Sequence, residues 1–469
     1  MRPAGAILFG EMGDRIFGRK HALVFSIILI TVPSILMGCL PTYATWGVFS
    51  TILLVILRML QGLSVGGQLA GSYVLSIEQS SSRTRGFRGS VCDASSVWFE
   101  CILWGNFWTA GYIGLTRNAI FFFTLQVGGF LLASAVTTIT RSIFSEEQVN
   151  EWAWRCPFLF SILLAPALYK IVSNTEESKY WSEKSEQKET EQLIRESENA
   201  DRPAVFDLFS SPFRRRQLAG MIGVLGSVSA SFYTLFLWTP VYLSELRGLM
   251  SEKEADMLNF CVVGTHIFFL LLAGKLSDSF PHRKDLVCIG LPGMLFAAPT
   301  MFGMFESESW FGYLVAQLQF GFCLALVQGS MASWEVELWM ADPTLSFTGV
   351  AIGHNIASTV FGGTMPLVAT FLFYRANEID VGEDALWPHL LPGLYISLLS
   401  LMSLYCVSKV VRHPHDVRTG DSKLREAVIR ENQKYKKSRK DKEKRRRMLE
   451  KQLNAGNFDA TTPYVPPSL

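Results

Sequence analysis

The chain has 469 residues, 49% of them hydrophobic, 34 of them Phe and only 18% charged, with a mean hydropathy of +0.24. A soluble chain of that length would divide into several domains with more charge, so an ordinary water-soluble architecture is excluded. The net charge of +2 says little, because much of the charge sits in two segments, 174–217 and 409–452, and hides how little the rest carries.

Residues 1–9 are apolar, are too short to span a bilayer and do not read as a secretory signal peptide. A charged turn follows, Gly10-Glu11-Met12-Gly13-Asp14-Arg15-Ile16-Phe17-Gly18-Arg19-Lys20, and it recurs as Gly274-Lys275-Leu276-Ser277-Asp278-Ser279-Phe280-Pro281-His282-Arg283-Lys284. In both copies a Gly ends an apolar run, an Asp follows four residues later, and Arg-Lys closes the turn. The offset, 274 − 10 = 264 residues, is half a molecule rather than a solenoid unit. Two apolar halves built alike point to a secondary transporter. The second copy has 274 − 218 = 56 apolar-region residues before it and the first has 10 − 1 = 9, so symmetry predicts about 47 residues, nearly two helices, missing at the N-terminus.

After the first turn, His21–Leu40 and Trp46 to about Ile77 are predicted spans. The loop Glu78–Arg88 carries Arg83, Arg85 and Arg88 and is expected inside, on the same side as the first turn. Residues 90–140 are too long for one helix, while acid-bearing 145–151 reads as outside. Only an odd number of crossings fits, so 119–140 is expected to span and Trp-rich Val97–Tyr112 to lie re-entrant or interfacial. Trp152 to about Ile171 crosses back to a charged loop, and further spans are predicted near 218–244, 256–274, 286–305, 310–335, 346–374 and 389–410. The expected divisions are a first bundle 1–172 with an atypical insertion at 91–118, an inside loop 173–217, a six-helix bundle 218–410 and a basic, disordered inside tail 411–469. That is an all-α polytopic membrane protein of about ten full spans plus a stub. Gly62, Gly66, Gly67 and Gly71, then Gly349 and Gly353, then Gly362 and Gly363, recur at helix-contact spacing and are read as packing faces, with flexibility as the other reading. The eight Cys show no CxxC pattern and read as small hydrophobes, not disulfides or metal ligands.

An ordered set of motifs resembles the major facilitator superfamily. The first turn, with one extra residue before Gly18, resembles the turn between its second and third helices. Arg58-Met59-Leu60-Gln61-Gly62…Gly66-Gly67, Arg85-Gly86-Phe87, Trp152-Ala153-Trp154-Arg155-Cys156-Pro157-Phe158, Glu176-Glu177-Ser178, Pro240-Val241-Tyr242-Leu243 and Gly349…Gly353-His354-Asn355…Gly362-Gly363-Thr364-Met365-Pro366 resemble its metabolite:proton symporter branch, which takes proline, betaines, 2-oxoglutarate, citrate and shikimate. The resemblance covers about 1–410 apart from roughly 91–118. It implies two pseudo-symmetric bundles and a small organic solute moved by alternating access, with a proton, or else sodium, as coupling ion.

Charged groups inside spans are functional candidates by default. Arg58 cannot itself release a proton, and the resemblance ties its position to coupling; a structural tie to a helix end is the other reading. Gln68 departs from the branch, where an acid follows Gly-Gly, so either the branch's proton coupling does not apply or the proton site moves to Glu78, Asp93 or Glu100, with least weight on Glu100. Tyr233, Trp238 and Tyr242 suit a zwitterion or quaternary ammonium, or simply pack. Glu335, Gln61 and Asn355 complete the coupling and substrate set, while Glu337 matches a family acid and His266 and His354 are mid-span polar groups read chiefly as structural. For the inner gate the resemblance implies a latch built from Gly10, Asp14, Arg15, Gly18, Arg19 and Lys20 with Gly274, Asp278, Arg283 and Lys284. Positive-inside anchoring explains the bases, but not an Asp placed identically twice.

The basic tail Lys434–Arg447 reads as solvated or as touching anionic lipid headgroups rather than nucleic acid. No nucleotide motif, nucleophile constellation, cofactor or metal site is legible, so no enzyme is expected. The expectation is a monomeric multi-pass transporter in the lipid bilayer of the plasma membrane, with its C-terminus in the cytoplasm. A non-transporting sensor or scaffold is the competing class, motivated by Gln68 and the short N-terminus.

Overall fold

Eight helices among the described residues are long and apolar enough to cross a membrane: Arg19–Gly38, Val48–Glu78, Pro212–Leu246, Glu252–Ser277, Arg283–Ser307, Trp310–Trp339, Ser346–Arg375 and His389–Val410. The computed structural model describes residues 1–81, 83–95, 143–159, 203–307, 309–340, 342–378 and 387–411, with Ile162, Lys170 and Glu177. These eight agree with eight predicted spans to within a few residues. The expected re-entrant segment, the crossing at 119–140, most of the span from Trp152 and the basic tail lie outside the described residues, which contain no strand.

In chain order the main helices are α1 (Arg2–Glu11), α2 (Arg19–Gly38), α3 (Val48–Glu78), α4 (Arg85–Ser95), α5 (Ala204–Ser210), α6 (Pro212–Tyr233), α7 (Glu252–Ser277), α8 (Arg283–Met304), α9 (Trp310–Trp339), α10 (Ser346–Ala357), α11 (Met365–Glu378) and α12 (Trp387–Tyr405). Local chemistry sets their starts. Ser251 and Glu254 form a capping box at α7, and the Ser309 hydroxyl accepts from the Gly312 N–H at 3.0 Å at α9. Gly18 takes φ +89° in front of α2, a conformation that a side chain resists. The path of α6 continues to Leu246 through a widened turn, where Pro240 offers no N–H and the Thr239 hydroxyl donates to the Thr234 carbonyl at 2.8 Å.

Helices α4 and α10 interlock the two halves of the sequence. α4, from the first half, packs between α7 and α9 of the second, while α10 packs against α1 and α3 of the first. Glycines permit close packing both within a half and between halves. A Cβ at Gly66 or Gly67 would collide with the Arg2 carbonyl or the Phe9 ring of α1, and one at Gly274 with Ser90 of α4. The second half has its own aromatic core: Trp238 stacks on Tyr242 at 4.7 Å, and Tyr242 meets the edges of Phe302 and Phe373 at 5.6 Å.

Candidate functional site

The repeated Asp residues do the same job in opposite directions. Asp14 follows α1, and its carboxylate accepts from the Phe347 N–H at 3.3 Å and from the Thr348 N–H and hydroxyl at 2.8 Å each, so it caps α10. Asp278 follows α7 and accepts from the Gly86 and Phe87 N–H groups at 2.9 and 2.8 Å, so it caps α4. Each half therefore holds the first turn of a helix from the other half. The unpaired amides and positive dipole end of a helix N-terminus favour a carboxylate there.

A buried cation backs each cap. Arg19, wholly buried, lies 3.6 Å from Asp14 and 3.0 Å from Glu78 at the end of α3, and donates to the Ser346 hydroxyl at 2.8 Å. Arg283 bonds Asp278 at 3.0 Å and Glu337 near the end of α9 at 2.9 Å. Asp–Arg–Glu clusters thus sit at one end of the helix array, where α1, α3, α7 and α9 finish and α2, α4, α8 and α10 begin. Close contact is built in: a Cβ on Gly10 would stand 2.9 Å from Thr348 Oγ1, and one on Gly86 would stand 2.5 Å from Arg283 Nη1. Helix α5 adds ties. Its first amide donates to Glu11, Asp207 pairs with Arg15 at 2.5 Å, and just beyond it Arg214 pairs with Asp342.

A second buried cluster lies within the seam. The Tyr73 hydroxyl of α3 donates to Asp93 of α4, and on the other side His354 Nδ1 of α10 lies 3.1 Å from both oxygens of Glu335 on α9. Tyr73 and His354 meet edge to face across the seam with ring centroids 5.8 Å apart. Asp93 is seven residues past the first capped amide of α4 (93 − 86), and His354 is seven past that of α10 (354 − 347).

The sequence-predicted residues fall into distinct places. Of the gate set, Asp14, Arg15, Arg19, Asp278 and Arg283 join the ties above, and Gly10, Gly18 and Gly274 shape the contact. The Lys20 N–H donates to both Glu177 oxygens, at 3.2 and 3.1 Å, and Lys284 is half-buried with no hydrogen bond or ion pair recorded among the described residues. Of the coupling and substrate set, Glu78 belongs to the Arg19 cluster, while Asp93 and Glu335 belong to the seam cluster. Asn355 is a tie between halves, donating to the Gly66 carbonyl at 2.8 Å and accepting from Arg2 Nε at 3.1 Å. Gln68 is half-buried one helical turn before Ser72, whose hydroxyl donates to its carbonyl. Arg58 is exposed and donates to Gln61 at 3.2 Å, and Gln61 in turn donates to Ser34, so neither reaches the seam acids. Trp238 and Tyr242 lie in the aromatic core, with Trp238 Nε1 donating to Thr370 at 2.9 Å, and Tyr233 packs its ring against Gly362. His354, read chiefly as structural, turns out to pair with Glu335. Nothing in the sequence pairs the two, since they lie 19 residues apart on different helices.

The Major Facilitator Superfamily profile matches residues 108–365, and a "Sugar (and other) transporter" profile matches residues 1–112. The chain is 26% identical over 408 residues to a proline/betaine transporter of Salmonella typhimurium, covering 86% of this chain and 71% of that protein. It is 24% identical over 385 residues to a citrate-proton symporter of Klebsiella pneumoniae, covering 81% and 76%. Its fold resembles that of the proton:xylose symporter XylE, with TM-score 0.61 and 17% identity over 88% of this chain and 85% of that one. It also resembles the human organic anion transporter MFSD10, with TM-score 0.52 and 14% identity over 87% and 81%. With more than half of its length matched by the first profile, the chain belongs to the Major Facilitator Superfamily, as a multi-pass membrane transporter and not an enzyme.

Proposed function

We propose that this protein is a secondary active transporter that moves a small organic solute (an organic acid, amino acid or betaine-like compound) by alternating access, driven by protons. The two moving bodies are the bundles 1–172 and 218–410, and the solute binds between them near mid-membrane. The basic end, which holds the two capping clusters, faces the cytoplasm of a plasma-membrane protein whose C-terminus is also inside. The protein works as a monomer.

One observation carries this reading: two carboxylates related by a half-molecule repeat, Asp14 and Asp278, each hold the first turn of a helix from the opposite half. Such a contact closes one end of a seam and can be broken symmetrically. Each cap contributes about 0.5–2 kcal/mol, enough to bias a two-state equilibrium without freezing it. Proline/betaine and citrate-proton relatives, at 24–26% identity, support the solute class and the proton.

The test is uptake by purified protein in proteoliposomes. Labelled proline, glycine betaine and citrate are offered with and without an inward proton gradient. Gradient-driven accumulation of at least one, abolished by a protonophore, is expected. Absence of uptake of any solute under either condition contradicts the proposal.

A further inference from the structure

We propose that Glu335 and His354 together form the proton-binding site of this transporter, a role that rests on the transport reading above and that the exposed Arg58 and the neutral Gln68 do not fill.

The carboxylates at the basic end are already neutralised. Asp14 and Glu78 share Arg19, and Asp278 and Glu337 share Arg283, whose guanidinium groups stay charged throughout the physiological range. Glu335 is different. It is wholly buried, and its sole hydrogen-bond partner recorded among the described residues is the His354 imidazole, 3.1 Å from both of its oxygens. Imidazole is the side chain whose own titration lies near neutrality. A buried carboxylate facing a neutral imidazole carries an uncompensated negative charge, which low-dielectric surroundings disfavour. Taking up one proton at the imidazole makes the pair an ion pair of zero net charge; giving it up to water restores a net charge of minus one. No other reactant is needed.

Among the described residues, the pair sits beside few other titratable or charged groups. The titratable groups beside the pair are Tyr73 on α3, edge to face with the His354 ring, and Asp93 on α4, which accepts from the Tyr73 hydroxyl. From α1, Arg2 is committed to Asn355, the next residue after His354. From α6, Met221 and Leu218 present only apolar atoms beside Gly353. Tyr73 belongs to one half and His354 to the other, so opening the seam at the basic end parts their rings, wets the imidazole and lets the proton leave toward that side.

The test uses the full-length protein in detergent and in proteoliposomes, with Glu335→Gln, His354→Gln and the conservative Glu335→Asp. Gly264→Ala, whose added methyl meets nothing within 4 Å, is the control for handling and folding. Infrared difference spectra between about pH 5 and about pH 8, with no solute present, are expected to show coupled carboxylate and imidazole bands in wild type. Both bands vanish in Glu335→Gln and in His354→Gln and return, shifted, in Glu335→Asp. In liposomes, lumen acidification on adding the transported solute falls to the level of empty vesicles in both Gln variants. Persistence of the bands in both Gln variants, or acidification equal to wild type, overturns the proposal. Bands that behave as expected in a wild-type protein that moves no solute sink the transport reading and leave the proton site standing.

Discussion

Arg19 shows how strongly a single residue is committed. It has no exposed surface, and it touches Asp14, Glu78 and Ser346 at once. Arg19→Ala leaves two carboxylates facing each other without a cation, and removing one partner of a buried pair costs about 3–5 kcal/mol. A fall in midpoint temperature in detergent, recovered only in part by Arg19→Lys, is the expected outcome. The glycines give a sharper contrast. A methyl at Gly86 collides with Ser277 and meets Arg283, whereas one at Gly264 meets open space. Gly86→Ala should lower stability by about 1–3 kcal/mol, while Gly264→Ala should raise it by up to about 1 kcal/mol through helix propensity; thermal unfolding of the two side by side checks the sign of each. At this scale the sequence was readable where a residue was repeated. Asp14 and Asp278 stood out because chance does not place an acid identically twice. The pairing of Glu335 with His354 did not, because they are 19 residues apart on two helices and only packing brings them together. Trp238 and Tyr242 suit either a pathway or packing by composition, which cannot tell an aromatic in a core from one lining a cavity.

For the helices, the central pair is α4 and α10. Each begins with amides held by a carboxylate from the opposite half. Asp14→Ala and Asp278→Ala should each destabilise the closed arrangement by about 0.5–2 kcal/mol, and because the caps act on different helices the double variant should show nearly the sum. A double-mutant cycle on thermal unfolding measures this, and a large coupling term would mean that the two clusters act as one. Spans were legible because a bilayer demands long apolar runs, whatever the details of packing. Their ends were less so. The apolar run predicts a span from Trp46, but Gly47, at φ +54°, breaks the chain there and the long helix begins at Val48. The widened turn before Pro240 was not legible either, since a missing N–H can be met by a kink, a wider turn or a helix end.

The whole molecule is tied by crossed contacts between pseudo-symmetric halves. The 264-residue offset of the charged turn announced the repeat, and the resemblance to the superfamily supplied the latch. What the sequence lacked was the crossing itself, that each half's Asp serves the other half's helix. The measurement that tests this most directly is the spin–spin distance between labels at Ser81 and Lys275, both exposed at the basic end and belonging to different halves. The eight native cysteines are first replaced, and the protein is held in lipid nanodiscs. One short-distance population is expected in the parent and a substantial longer-distance population in the Asp14→Ala/Asp278→Ala double variant. Identical distance distributions in the two proteins would contradict the crossed capping.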